Sequence, residues 1–291
     1  MNIAIFGNTS QVEKSRHLHE VIAALTERKI DICIESSFAD FLQEQRIPLP
    51  NPIRRFREED VEADFALSVG GDGTFLNTAA HIRDKGIPIL GINTGRLGFL
   101  ADVPPHLVGP AIDDIYNKEY VVEQRSLIRV EKDGKPLSTY PYALNEVALL
   151  KYDNSSLIEI RTRIDGEFLT GYIADGLIVA TPTGSTGYAL SSGGPILAPD
   201  SPTFCIAAVA PHSLSVRPVV VRDDVTIELE VRSRSHQFLI SVDGRSESFP
   251  DASTLTLRRA PYTIGVMKTR HKSFYQTLRD KMSWGADQRF N

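Results

Sequence analysis

Ser68-Val69-Gly70-Gly71-Asp72-Gly73-Thr74 decides how this chain is read, because it sets a carboxylate among glycines where the residue pattern changes period. Upstream, Phe65-Ala66-Leu67-Ser68-Val69 is a short apolar run suited to a strand covered on both faces, as in a parallel sheet. Downstream, Phe75, Leu76, Ala79 and Ile82 recur at roughly helical spacing, with Thr74 as the expected N-cap. A strand, a glycine turn and a helix start aim backbone N–H groups and a positive helix end at one point, which favours phosphate. Gly70, Gly71, Gly73 and Thr74 would form that cradle. An acid there is repelled by such a ligand, so Asp72 must have a chemical role, either taking a proton from an attacking hydroxyl or holding a metal. Turn chemistry alone would also explain an Asp-Gly pair, but such a pair usually closes a hairpin, and here the pattern passes from strand to helix. Neither Gly-Lys-Ser/Thr nor Gly-x-Gly-x-x-Gly is present, so a nucleotide site here is of a different type.

The 291 residues are 42% hydrophobic and 24% charged, an ordinary soluble composition with enough apolar residues for real cores. That length predicts about two domains. A net charge of −5 gives no general attraction to nucleic acid or anionic lipid, so an anionic ligand must be held by local groups. Cys33 and Cys205 lie far apart inside apolar runs and outside any metal-ligand spacing, which points to reduced, buried thiols. The start, Met1-Asn2-Ile3-Ala4-Ile5-Phe6-Gly7, lacks a basic leader pattern, and no apolar run approaches ~18 residues. A cytoplasmic protein with no membrane partner is expected.

Residues Asn2 to Phe6 read as a strand, Gly7 to Ser10 as a turn, and Leu18, Val21, Ile22 and Leu25 as the apolar stripe of a helix. Ile30 to Ile34 is a second strand, followed by an amphipathic piece around Phe38, Phe41 and Leu42. Ile47 to Asp60, with Pro48, Pro50 and Pro52 before a charged run, reads as a solvated loop, with a lid over the phosphate site as the alternative. Ile87 to Ile92 is a further strand, and a helix runs from about His106 to Tyr116. Strands alternating with helices predict a Rossmann-like α/β domain over residues 1–120. Ligands of such sheets sit beyond the carboxyl ends of the strands, where Asp72 and the turn Asn93 to Gly98 both lie. From residue 121 to about 270 short alternating runs predict a β-rich domain, with hairpin signals at Asp165-Gly166 and Asp243-Gly244. Phe274 to Trp284 can form a helix within a tail, 271–291, that packs back on the first domain.

Thr181-Pro182-Thr183-Gly184-Ser185-Thr186-Gly187-Tyr188-Ala189-Leu190-Ser191-Ser192-Gly193-Gly194-Pro195 is too polar and glycine-rich for a core strand and directly follows one. With Gly70 to Thr74 and Leu144-Asn145-Glu146-Val147, it makes the chain resemble the NAD kinases, which transfer the γ-phosphate of ATP to the 2′-hydroxyl of the adenosine ribose of NAD. The likeness runs from about Leu67 to Asp243 and takes in Asn93 to Leu100 and Pro211 to Pro218. The glycine-aspartate-glycine motif alone is shared with phosphofructokinases and with diacylglycerol and sphingosine kinases; the long Thr/Ser/Gly stretch makes the resemblance specific.

The resemblance implies a two-domain architecture and a set of roles. Asp72 would be the base that accepts the 2′-hydroxyl proton, with Gly73 allowing close backbone approach. Asn145 and Glu146 would contact the ribose and base of NAD, and Asp175 would bind the dinucleotide, within one subunit or across a subunit boundary. Thr186, Gly187, Tyr188, Ala189, Leu190 and Ser191 would line the NAD site, with Tyr188 free to stack on a base. Phe99 is similar to an aromatic near the adenine, and His212 belongs to the region of the transferred phosphate. By residue chemistry alone, Asn145 and Glu146 close a strand end, Asp175 makes a turn, Phe99 and Tyr188 pack, and His212 is structural. A divalent metal, Mg²⁺, is expected on the ATP phosphates, and a homo-oligomer, dimer or tetramer, is implied. A cleft between the domains would place Asp72 between ribose and γ-phosphate. Three positions depart from the family pattern: Ile173 for a basic residue, Arg245 for Gln, and Gly187 for Ala. The first two bear on the choice between NAD and NADH. A lipid or sugar kinase of the same superfold and a non-catalytic NAD-sensing module are the alternatives.

Overall fold

The computed structural model describes residues 1–9, 16–50, 52–57, 60–95, 97–153, 156–270 and 273–284. Ser10 of the expected first turn, Arg96 of the turn after Asn93, and the tail beyond residue 284 lie outside the described residues. In chain order the elements are β1 (Asn2–Gly7), α1 (Arg16–Glu27), β2 (Asp31–Glu35), α2 (Ser36–Glu44), β3 (Arg54–Phe56), β4 (Phe65–Gly70), α3 (Asp72–Ile82), β5 (Ile89–Asn93), β6 (Ala101–Val103), α4 (Val108–Tyr116) and β7 (Tyr120–Arg125). Strands then dominate: β8 (Ile128–Lys132), β9 (Lys135–Pro136), β10 (Tyr142–Ala143), β11 (Glu146–Lys151), β12 (Ile158–Ile164), β13 (Glu167–Ala174) and β14 (Gly176–Ala180). After α5 (Tyr188–Ser191) come β15 (Thr203–Val209), β16 (Val219–Arg222), β17 (Ile227–Arg232), β18 (Gln237–Val242), β19 (Arg245–Pro250), β20 (Thr254–Arg259), β21 (Ile264–Thr269) and α6 (Phe274–Met282). The chain divides into two units, Met1–Gln124 with Ile264–Asn291, and Arg125–Thr263.

The first unit is built on one sheet in the order β3-β2-β1-β4-β5-β21-β7, with β6 paired to β5. β1, β2, β3, β4 and β5 run parallel, and β4 sits between β1 and β5, which is why its residues from Ala66 to Gly70 are all buried. The strand order reverses between β1 and β4, the kind of place where open α/β sheets hold ligands. Leu18, Val21 and Leu25 of α1 and Ile112 and Ile115 of α4 cover Ile3, Ile5, Leu67 and Leu90 of the sheet.

Three expectations change. α3 begins at Asp72 rather than after Thr74, with extended Gly71 (φ −108°, ψ −170°) at the N-cap. Thr74 instead packs under Gly70, where a Cβ would fall 2.2 Å from its Oγ1. Within the stretch 47–60, read as a loop, Arg54–Phe56 forms an edge strand parallel to β2, because Phe56 is buried against Phe6 at 5.2 Å between ring centroids. The β-rich domain expected to reach residue 270 ends at Thr263, since β21 joins the first unit's sheet with Val266 opposite Ile89.

The second unit holds two antiparallel sheets, β10-β8-β20-β17-β12-β13 with β9 on β8, and β16-β15-β14-β11-β18-β19. Their inward faces share one core that includes Val130, Ile160, Leu229 and Leu257 from the first and Val147, Val179, Ile206 and Ile240 from the second. Asp165-Gly166 and Asp243-Gly244 close two-residue hairpins with positive φ at both positions (49° and 82°, 48° and 81°), as a type I′ turn requires. Among the described residues no helix is long and apolar enough to cross a membrane.

Candidate active site

In the first unit, β4 delivers the chain to Gly70-Gly71, and Asp72 opens α3 with its side chain directed away from its own helix. Its Oδ2 accepts a hydrogen bond from Phe99 N at 3.0 Å, and its Oδ1 accepts from Leu100 N at 2.9 Å and Ala101 N at 3.0 Å. The turn that supplies those amides is tied down on both sides. Thr94 N donates to Gly70 O at 3.2 Å, and Asn93 Oδ1 accepts from Gly95 N at 2.7 Å. Gly98 is required by contact rather than by its dihedral angles: a Cβ would stand 2.1 Å from Asp72 Oδ1. Beside the turn, Asp102 and Lys268 form an ion pair at 2.5 Å with both side chains almost fully buried. A Cβ on Gly71 or Gly73 would meet nothing within 4 Å, so open space lies against the start of α3. Helix α6 borders the same place, with Lys281 Nζ 3.6 Å from Asp72 Oδ2 and 4.7 Å above the Phe99 ring.

The Asp72 oxygens face three N–H donors and an ammonium, groups that fix the carboxylate and keep a cation from it. Among the described residues no cluster of three or more His, Cys, Asp or Glu could hold a metal ion.

In the second unit, Asn145 and Glu146 stand at the start of β11, the strand between β14 and β18. Asp243, in the turn after β18, accepts from Leu144 N at 2.7 Å, Asn145 N at 2.8 Å and Glu146 N at 3.1 Å. The chain leaving β14 is fastened to the same point, with Thr181 N donating to Asn145 O at 2.9 Å and Thr181 Oγ1 to Leu144 O at 2.6 Å. Gly184 passes so close that a Cβ would lie 2.1 Å from Asn145 O. Burial, and then the charge of Asp243, push the Glu146 carboxyl up to about 7 against the opposing hydrogen bond from Tyr188 N. Burial also raises Asp243, opposed by its three amides and by Arg245. Asn145 Oδ1 and Glu146 Oε2 are buried atoms without a hydrogen-bond partner among the described residues, so each keeps capacity for a further hydrogen bond. A Cβ on Gly187 would reach 2.9 Å from Glu146 Oε2, so the glycine leaves room at that carboxyl.

Tyr188 is exposed beside this point, whereas Ala189 is fully buried among Ala148, Ile178 and Ala180 and lines nothing. Thr186 Oγ1 and Ser191 Oγ donate to Thr183 O and Tyr188 O, the backbone of their own short helices. Leu190 is half-buried next to them. Arg245 donates from a terminal nitrogen to Tyr142 O at 3.0 Å and stacks 5.4 Å over Tyr140. Asp175 and His212 are not brought to this point. Asp175 pairs with Lys151 at 2.6 Å, at the other end of β11, and exposed His212 donates its N–H to Ile173 O at 2.8 Å. From Glu146 to Lys151 is about 17 Å along a strand.

Comparison with known proteins gives this geometry a family. Residues 3–120 match the model of the ATP-NAD kinase N-terminal domain and residues 144–269 that of the ATP-NAD kinase C-terminal domain. The chain belongs to the NAD kinase family. It is 52% identical over 289 residues to an NAD kinase of Bacteroides fragilis, covering 99% of this chain and all of that one. It is 42% identical over 284 residues to an NAD kinase of Porphyromonas gingivalis, covering 98% of each. An NAD kinase from Archaeoglobus fulgidus, solved in complex with ATP, superposes with a TM-score of 0.76 at 27% identity over 97% of this chain and 99% of that one. A yeast NADH kinase complexed with NADH has the same fold, with a TM-score of 0.88 at 23% identity over 100% of this chain and 90% of that one. The two-domain NAD kinase architecture is therefore the fold of this chain, and the lipid- and sugar-kinase alternative falls away. Gly98, Asp243 and Lys281 were not among the expected site residues. Each acts through a partner distant in sequence, so local pattern carries no sign of it.

Proposed function

We propose that this chain transfers the γ-phosphate of ATP to the 2′-hydroxyl of the adenosine ribose of NAD, with Asp72 as the general base. One observation carries the assignment: a part-exposed carboxylate held by three successive amides beside glycines that face open space. The hydroxyl oxygen attacks the γ-phosphorus while its proton passes to Asp72. The bond from the γ-phosphorus to the bridging oxygen breaks, and ADP leaves with the electron pair. The amides fix the carboxylate where the hydroxyl must come, and positioning supplies most of the rate in such transfers. Mg²⁺ would arrive on the phosphates of ATP and neutralise part of their charge, and no residue of this chain is assigned to it.

Asn145 and Glu146 supply the unpartnered atoms for the ribose and base of NAD, and Tyr188 offers a face for stacking. Asp175, whose carboxylate pairs with Lys151 away from Asn145 and Glu146, is assigned by the resemblance to the dinucleotide across a subunit boundary of a homo-oligomer, and His212 to the region of the transferred phosphate. Cys33 and Cys205 are both free and buried, which fits a reducing compartment such as the cytoplasm. The test is NADP formation from ATP, Mg²⁺ and NAD, with NADH run in parallel. Asp72→Asn should lower turnover by about 10²–10⁴-fold. A variant that keeps turnover within a few-fold of the natural chain removes the base from this account.

A further inference from the structure

We propose that Lys281, near the end of the C-terminal helix, binds the phosphoryl group in flight, moving to it from the carboxylate of Asp72. The inference rests on the kinase reading above and adds a residue to it. A lysine in the last turn of a helix is favourable to that helix in any protein, so its position alone means little. Its aim exceeds that role. The Lys281 ammonium lies 3.6 Å from Asp72 Oδ2 and 4.7 Å above the ring of Phe99, whose own amide donates to the same oxygen. Phe274, at the other end of α6, meets the same ring at 6.2 Å between centroids, so the helix is seated on Phe99 from both ends.

The acceptor capacity of Asp72 then forces a choice. An ionised carboxylate offers about four lone-pair positions. Among the described residues the amides of Leu100 and Ala101 take two on Oδ1, the amide of Phe99 takes one on Oδ2, and Lys281 stands nearest that same Oδ2. A base must open one of these to the substrate hydroxyl. The amides belong to backbone fixed by Gly98 N donating to Ala101 O at 3.0 Å and by β6 pairing with β5. Lys281, on a flexible four-carbon stem, stands beyond ordinary hydrogen-bond length and has about a third of its side chain exposed. It is the donor that can leave.

Its destination is set by the reaction. The oxygen that gives its proton to Asp72 is the same oxygen that bonds to phosphorus, so the transferring group passes within reach of any cation resting on Asp72. The first-turn amides of α3 point to that space, and Gly71 and Gly73 leave it clear. The negative charge spread over the phosphoryl oxygens there is what a positioned cation stabilises. Lys281 exchanges one anion for another.

The test uses the full chain with Lys281→Gln and Lys281→Arg. Rates are measured with ATP and NAD varied separately, and binding of ADP and of a non-hydrolysable ATP analogue is measured without turnover. Lys281→Gln should lower kcat about 10–100-fold, weaken the ATP analogue while leaving ADP within two-fold, and leave the KM for NAD within two-fold. Lys281→Arg should restore most of the loss. Unchanged ATP kinetics in Lys281→Gln overturn the proposal, and so does a rise in kcat, which would make α6 a restraint on Asp72. If the natural chain forms no NADP at all, the kinase reading fails, while the difference between ATP-analogue and ADP binding in the two variants still decides whether Lys281 meets the terminal phosphate.

Discussion

Replacing Glu146 with Gln should change how stability depends on pH, and the size of the effect can be worked out from the site. The Glu146 carboxyl has an ordinary value of 4.5 and is pushed up to about 7, first by burial and then by the charge of Asp243. In the unfolded chain it ionises near 4.5; in the folded chain it keeps its proton until about 7. Between those values the folded state binds the extra proton, so stability is fully present below 4.5 and is lost as pH rises through 7. At ~1.36 kcal/mol per unit, the loss is on the order of 3 kcal/mol. Gln is uncharged at every pH and removes this slope. The variant should match the natural chain near pH 4.5 and exceed it at pH 8, by roughly 6–12 °C in Tm at about 2–4 °C per kcal/mol. Thermal melts of both proteins at half-unit steps from pH 4.5 to 8 read the difference directly. A gap between the two melting curves that stays constant with pH refutes the argument, because it would mean that Glu146 ionises as freely in the fold as outside it.

Gly98→Ala should inactivate without unfolding: its Cβ would fall 2.1 Å from Asp72 Oδ1 and 2.9 Å from Ala101 O, displacing the carboxylate. NADP formation should drop by about 10²-fold, the usual cost of a displacement near 1 Å, while circular dichroism stays native. Lys268→Met leaves Asp102 buried without its partner and should cost about 3–5 kcal/mol in denaturant unfolding. Adding Asp102→Leu should return most of that, and a double variant as unstable as the single one would show that the pair itself, rather than the orphaned charge, supplies the stability.

How far the sequence could be read depended on the range of each interaction. Phe65–Gly70 was legible because a strand buried on both faces is largely apolar. Asp165-Gly166 was legible because a two-residue hairpin needs positive φ at both places. The strand Arg54–Phe56 was not, since in it only Phe56 is buried and two arginines face outward. Ile264–Thr269 falls within the stretch read as β-rich, but its partner β5 lies far upstream, and nothing within the strand names it. The start of α3 was misplaced by three residues for a related reason. Thr74 looks like a local cap, whereas the side chains at this helix start are engaged elsewhere, Asp72 with the turn at 99–101 and Thr74 with Gly70. In the candidate site, Asp72, Asn145 and Glu146 lie inside continuous motifs, which is why the sequence singles them out. Gly98, Asp243 and Lys281 were missed as site residues because their meaning lies in contacts 26, 97–99 and 209 positions away.

Asp72 and Asp243 show why a motif is not yet a role. Each carboxylate accepts from three consecutive backbone amides, Phe99 to Ala101 in one unit and Leu144 to Glu146 in the other. The amides do the same thing in both places: they fix two oxygens against rotation and leave a charge of known position. The chemistry of each carboxylate then depends on its next neighbour. Beside Asp243 stands a second carboxyl, and the fixed charge helps to hold a proton on Glu146 up to about 7. Beside Asp72 stands an ammonium on an exposed stem, which a phosphate can draw away, opening the carboxylate to a hydroxyl. Changing the neighbour should therefore change the behaviour. Lys281→Glu would set a second carboxylate against Asp72 and against the incoming phosphate, so NADP formation should fall well below that of Lys281→Gln, which removes the cation without adding a repelling charge; equal rates in the two variants would mean that position 281 does not meet the phosphoryl group.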